Sequence, residues 1–165
     1  MKLVNVKVTE FQSVLDSNEF KVGDITCLVG KNEAGKTTIL KALYRLNPII
    51  SSEGKFSVTD DYPRGEVEDY SDSVERGKRE AATVVRAVFA LDDGDVEGLV
   101  DVFGEEALES REITLIKGYG NALQCYLAVD ETKVINYAYS SSEIPAKIKA
   151  ELAKSASLGK GVISP

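Results

Sequence analysis

Hydrophobic and polar positions alternate over Lys2–Val8 (KLVNVKV), with Leu3, Asn5 and Lys7 on one face and Val4, Val6 and Val8 on the other. A repeat of two is that of a strand, which Phe11–Leu15 continues or turns away from. Phe20–Val22 offers a second, short strand before a Gly23-Asp24 turn. Ile25–Val29 (ITCLV) is compact and β-branched, the pattern of a strand covered on both faces, and Gly30 ends it. At Lys36 the repeat changes. Ile39, Leu40, Leu43 and Leu46 form one helical stripe, so Lys36–Leu46 predicts an amphipathic helix. Asn47-Pro48 stops it, because Pro has no N–H to donate and biases its predecessor away from the helical region.

Residues 51–80 are rich in Ser, Asp, Glu, Gly and Arg and poor in core formers. They read as an exposed excursion, with Tyr62-Pro63-Arg64 as an exposed turn and the charges serving solvation. Ala82–Leu91 returns to strand character, and Val96–Leu108 predicts a short helix weakened by Gly98 and Gly104. Ile113–Ile116, Ala122–Val129 and Val134–Tyr139, separated by short polar turns, predict an antiparallel meander. Ser142 can cap a last helix, with Ile144, Ile148 and Leu152 one turn apart and Gly159 as its stop.

The chain has 165 residues, 43% hydrophobic and 28% charged, which suits one α/β domain over residues 1–165 with a substantial core. A formal charge of −7 argues against an autonomous nucleic-acid binder, since phosphate neutralisation needs clustered cations. No apolar run approaches the length of a membrane span, and the N-terminus lacks a cleavable apolar segment, so a cytoplasmic protein is expected. Cys27 and Cys125 lie in apolar runs and read as buried, reduced thiols. The chain contains no His, which removes imidazole bases, Ser-His-Asp triads and histidine metal sites.

The chemistry concentrates in Gly30-Lys31-Asn32-Glu33-Ala34-Gly35-Lys36-Thr37, which satisfies G-x-x-x-x-G-K-S/T. The residues serve one task, which is holding a polyphosphate without its full hydration shell. Backbone N–H groups from Gly30, Asn32, Glu33, Ala34 and Gly35 cradle the β-phosphate, and the first helical turn adds free N–H groups and the positive end of its dipole. Gly30 and Gly35 allow torsions and close approaches that a Cβ would block. Lys36 reaches the β- and γ-oxygens as the catalytic cation, Thr37 completes the shell of Mg²⁺, and Thr38 can hydrogen-bond the α-phosphate.

LVGKNEAGKTTILKALYRLNP resembles the P-loop of the ABC-type ATPase heads found in SMC- and RecF-like DNA-maintenance proteins. The Asn-Glu-Ala-Gly-Lys variant is most similar to the ATPases of the OLD (overcoming lysogenisation defect) type, although Glu33 stands where many relatives carry Gly. The resemblance implies a P-loop NTPase lobe with a mixed sheet, a P-loop helix and an antiparallel β-meander, binding ATP with Mg²⁺. It also implies partners. A second lobe would carry the signature Ser-Gly segment, a Walker B Asp-Glu pair and a switch residue, usually His. A Toprim nuclease domain would follow, two heads would sandwich ATP as a homodimer, and DNA would be met by the full protein. No LSGG-like segment occurs in the chain. Its length is short for a complete head, so it reads as the N-terminal part of one, inactive when isolated.

Two further stretches imitate functional motifs. Asp130-Glu131 follows four apolar residues as a Walker B pair would, but a hairpin turn into Val134–Tyr139 is the favoured reading. Asp93-Gly94-Asp95-Val96-Glu97-Gly98 imitates half of an EF-hand loop but lacks its bidentate ligand, since Gly104 stands at the twelfth position; a capped helix start is favoured. Two other functions fit less well than the ATPase lobe: a nucleotide-gated interaction module without its own catalysis, and, behind it, a small P-loop kinase with arginines drawn from Arg64, Arg76, Arg79 and Arg86.

Overall fold

In the computed structural model, which describes residues 1–32 and 34–141, the N-terminal alternation becomes a ten-residue strand, β1 (Lys2–Phe11). The chain reverses at Gln12-Ser13 into β2 (Val14–Asp16), with Phe11 opposite Val14. Glu10 (φ 48°) and Gln12 (φ 50°), in the left-handed region, flank the fully buried Phe11. β3 (Phe20–Lys21) pairs with an earlier stretch of β1, Phe20 opposite Val6. There follow α1 (Lys36–Tyr44), a 3₁₀ turn at Ser51–Gly54, α2 (Val58–Asp61), α3 (Val67–Glu75), β4 (Thr83–Ala90) and α4 (Asp93–Phe103). β5 (Leu108–Gly118), β6 (Gln124–Val129) and α5 (Glu131–Ser141) complete the described chain. Two compact units result, Met1–Asp95 with Ser110–Ala128, and Val96–Glu109 with Val129–Pro165.

The sheet runs β2-β1-β4-β5-β6, with β3 also on β1. The pairings of β1 with β2, β3 and β4, and of β4 with β5, are antiparallel. Register explains the core: Val8 faces Val85 and Val6 faces Ala87, which sets four buried apolar side chains on one face. Helix α1 packs on β1 and β4, burying Thr38 and Ala42 with Leu46 just beyond it, and Ile39 and Leu43 pack beside them. Leu40, expected in that stripe, points outward and is 59% exposed. The α/β class, the P-loop helix and the antiparallel sheet stand as the sequence suggested.

Several expectations need correction. Ile25–Val29 forms no strand, and Ile25 and Val29 are 88% and 92% exposed. A strand covered on both faces needs neighbours for its backbone groups, and no described strand lies beside this run. Cys27 shares that exposure; Cys125, on β6, is also exposed, and both thiols are free. Residues 51–80 are no mere excursion. Phe56, Tyr62 and Tyr70 enter the core with Phe11 and Tyr119, and Tyr62 stacks on Tyr70 with ring centroids 4.1 Å apart. Tyr62 and Pro63 are therefore buried, and only Arg64 keeps the exposure predicted for that turn.

The meander also ends one strand early. Val134–Tyr139 lies in α5, where Val134 and Tyr137, three apart, are partly buried together with Tyr139. The Asp130 Oδ1 accepts from the N–H groups of Thr132 (3.0 Å) and Lys133 (3.2 Å), so this carboxylate caps a helix rather than turning a hairpin. In the same unit the Tyr137 hydroxyl donates to the Asp101 carbonyl, and the Tyr137 ring would lie 2.8 Å from a Cβ at Gly104 (φ 96°). The EF-hand lookalike is a helix start, as favoured. Asp92 and Asp95 bond reciprocally to each other's backbone N–H at 3.0 Å. The last helix expected from Ser142 lies outside the described residues, as does Glu33.

Candidate nucleotide site

The loop between Gly30 and Lys36 is strapped by its own lysine. The Lys36 Nζ donates to the carbonyls of Gly30 (2.7 Å) and Lys31 (2.6 Å), spanning the loop from the helix to its opposite side. The Ala34 N–H bonds the Lys31 carbonyl at 3.2 Å, which closes the turn. Gly35, with φ 84° and ψ 4°, changes the chain's direction into α1 from the left-handed region. A Cβ there would lie 2.6 Å from Val14 Cγ2, so the glycine answers to packing as well as to torsion. At Gly30 a Cβ would come within 3.2 Å of the Ala34 Cβ.

The electrostatics of the helix start are distinctive. No side chain caps α1, and its first turn carries no acidic residue. The other four described helices all have acid in the first turn: Asp60 and Asp61 in α2, Glu68 and Asp69 in α3, Asp93 and Asp95 in α4, and Glu131 in α5. Those carboxylates satisfy the dipole internally. α3 is also without a side-chain cap, but in a chain of net charge −7 only α1 among the described α-helices combines an uncapped start with an acid-free first turn, which leaves its positive potential available to an external anion.

Asn32, Ala34 and Thr37 are exposed around this start, and Thr37 offers a hydroxyl oxygen of the hard kind that Mg²⁺ prefers. Thr38 is turned inward, 7% exposed, with its Oγ1 3.3 Å from the Ser13 Oγ. Of the residues singled out in the sequence, Gly30, Lys36 and Thr37 lie around the loop and the start of α1, Gly35 is buried at the turn between them, and Thr38 faces inward. Sequence reasoning missed the support behind them.

That support is the Gln12-Ser13 turn and a buried carboxylate. The Gln12 N–H donates to the Asp61 carbonyl at 2.6 Å, and its Nε2 to Asp61 Oδ1 at 3.3 Å. Asp61, 3% exposed, also accepts from Arg45 Nη1 and from the Ser57 N–H. The Arg45 guanidinium lies 5.1 Å from both the Phe11 and Phe56 ring centroids. Burial pushes the Asp61 carboxyl upward, but the Arg45 and Ser57 donors outweigh it and hold the group below the usual carboxylate range. Burial and the Arg45 charge together lower the Lys117 ammonium, whose Nζ donates to the Arg45 carbonyl. Burial raises the Tyr119 phenol, and the charge of Asp61 adds to the rise. Nothing in the sequence pattern marked Asp61, one acid in a charged stretch; its partners lie 16 and 49 residues away.

Asp130 and Glu131 belong to the second unit, where Asp130 is occupied by its cap bonds. Among the described residues no group of three or more acids or thiols is placed to hold a metal ion, and no helix is long and apolar enough to cross a membrane. No curated protein matches the chain. A family model described as an AAA ATPase domain matches residues 1–157, which takes in the strapped loop, α1 and the sheet behind them. By that match over nearly its whole length, the chain belongs to the AAA ATPase domain family.

Proposed function

We propose that this chain is the Mg-ATP-binding lobe of an OLD-like or SMC-like ATPase acting in DNA maintenance or defence, with hydrolysis completed by a second lobe. The observation that carries the reading is the uncapped, acid-free start of α1 beneath a loop spanned by Lys36. An incoming β-phosphate would take Lys36 Nζ from the Gly30 and Lys31 carbonyls, exchanging two neutral acceptors for an anionic one. Bound Mg²⁺ would neutralise charge on the β- and γ-oxygens, with the Thr37 hydroxyl in its shell. The first-turn N–H groups then hold oxygens already aligned with the helix axis.

Exposed apolar residues near the loop support the second-lobe part of the proposal. Ile25 and Val29 precede the loop with their side chains in solvent, and Leu40 on the outer side of α1 is also exposed. Apolar residues this open, beside a ligand loop, fit a surface that another part of the assembly covers. The absence of an LSGG-like segment and of His fits catalysis that depends on groups supplied from there.

Equilibrium dialysis with Mg-ATP, paired with a phosphate-release assay and sizing of the chain, tests the reading. One bound nucleotide with negligible turnover is the expected result. Robust turnover lost in Asp130→Asn or Glu131→Gln would contradict it and make Asp130-Glu131 a Walker B pair. Self-association driven by Mg-ATP, without turnover on adding the second lobe, would favour the nucleotide-gated module instead.

A further inference from the structure

The first turn of α1 is held from behind by the β1–β2 turn at two points. Ser13 Oγ lies 3.3 Å from Thr38 Oγ1, and Val14 Cγ2 fills the space that a side chain at Gly35 would need. The same turn is anchored by Asp61, which receives both the Gln12 N–H and the Gln12 side-chain amide. Asp61 in turn pairs with Arg45, the residue that ends α1. The contacts close a ring: Thr38 near the start of the helix, Ser13 and Gln12 in the turn, Asp61 in α2, and Arg45 at the helix end. A helix gripped at both ends by one bracket cannot slide along its axis without breaking a contact. Its first-turn N–H groups are therefore fixed where an anion would meet them.

We propose that Ser13 is a positioning residue for nucleotide binding: its hydroxyl donates to Thr38 Oγ1 and so turns the Thr38 proton toward the α-phosphate. This rests on the reading of the loop as a Mg-ATP site. A threonine hydroxyl has one proton, and left alone it donates to whichever acceptor is nearest, including a carbonyl one turn back in its own helix. A donor already seated on Thr38 Oγ1 leaves that proton free for an external acceptor. Ser13 itself is exposed, so its removal opens no cavity, whereas Thr38 is buried and its orientation is set by what it touches. The turn geometry points the same way. Gln12 adopts φ 50°, an uncommon torsion for its type, and is held there by two hydrogen bonds to Asp61.

The test is a double-mutant cycle on Ser13→Ala and Thr38→Val, read as the Kd of a fluorescent ATP analogue and of its ADP counterpart with Mg²⁺. Because both nucleotides carry the α-phosphate, Ser13→Ala should weaken them equally, by about three- to tenfold, the worth of one neutral hydrogen bond. Thr38→Val should do at least the same, the double variant should be no weaker than Thr38→Val alone, and Ser13→Thr should restore affinity to within about twofold of wild type. The melting temperature of Ser13→Ala should match that of wild type, which a merely structural role would not predict. Losses that multiply in the double variant, or a Ser13→Ala affinity equal to wild type, would overturn the inference. Lys36→Ala run alongside separates the two ideas: if it too binds normally, the phosphate-loop reading has failed and not only the role of Ser13.

Discussion

Replacing Asp61 by Ala removes a carboxylate that is only 3% exposed. Three donors lose their acceptor: Arg45 Nη1, the Ser57 N–H at 2.9 Å and Gln12 Nε2 at 3.3 Å. The guanidinium dominates. Its side chain is 20% exposed and packs against both the Phe11 and Phe56 rings, where water cannot fully take the place of the carboxylate. Removing one partner of a buried ion pair costs about 3–5 kcal/mol, and in a chain of this size that lowers the melting temperature by roughly 6–20 °C. Asn at position 61 keeps one oxygen for the Ser57 N–H but not the charge, so its cost is smaller, about 2 kcal/mol.

The pH dependence has a definite sign. The folded pKa of Asp61 is depressed, so its stabilisation is fully present above the unfolded value of about 3.9 and fades as pH falls through the folded one. The advantage of wild type over Asp61→Asn should therefore hold steady from neutral pH down to that value and shrink below it. Urea unfolding followed by tyrosine fluorescence is suitable, because the chain has seven Tyr and no Trp. An Asp61→Ala cost under about 1 kcal/mol at neutral pH would refute the argument that this pair is buried and uncompensated. So would an Asp61→Asn deficit that persists undiminished in acid.

Other substitutions probe the remaining contacts. Tyr70→Phe strands the buried Ala82 N–H, which now bonds the Tyr70 hydroxyl at 2.8 Å, and should cost about 1–3 kcal/mol in urea unfolding. Burial and the Glu10 carboxylate push the Tyr62 phenol up to about 12; Glu10→Gln should lower it without returning it to the ordinary value, measured by absorbance titration of tyrosinate. At the start of α5, Asp130→Ala should lose about 1 kcal/mol and some helical circular dichroism while Asp130→Asn retains both, since either Asp or Asn serves as a cap.

Local patterns were legible where local physics decides the outcome. The alternation of Lys2–Val8, the strand at Ala82–Leu91 and the helix opening at Lys36 all appear in the structure because each pattern matches the face it buries. The turn from the Gly30 loop into α1 was legible for a related reason, since Gly35 sits at a positive φ that a glycine adopts without strain. Ile25–Val29 reads as a buried strand from its side chains alone, yet burial depends on neighbours that a pattern cannot supply. Val134–Tyr139 alternates like a strand, but Val134 and Tyr137 also sit three apart, and the Asp130 cap decides for helix. The aromatic cluster of Phe56, Tyr62 and Tyr70 hid inside a charged stretch because its partners Phe11 and Tyr119 are distant in sequence.

The most direct test of the account is a Mg-ATP titration of wild type against Lys36→Ala, by isothermal calorimetry. Lys36 Nζ is the cation that spans the loop at 2.7 and 2.6 Å from its carbonyls, and Ala leaves the helix intact. Saturable binding to one site in wild type, lost in Lys36→Ala at unchanged melting temperature, is the predicted result. Equal binding by the two proteins, or none by wild type, would contradict the claim that this loop is a nucleotide site.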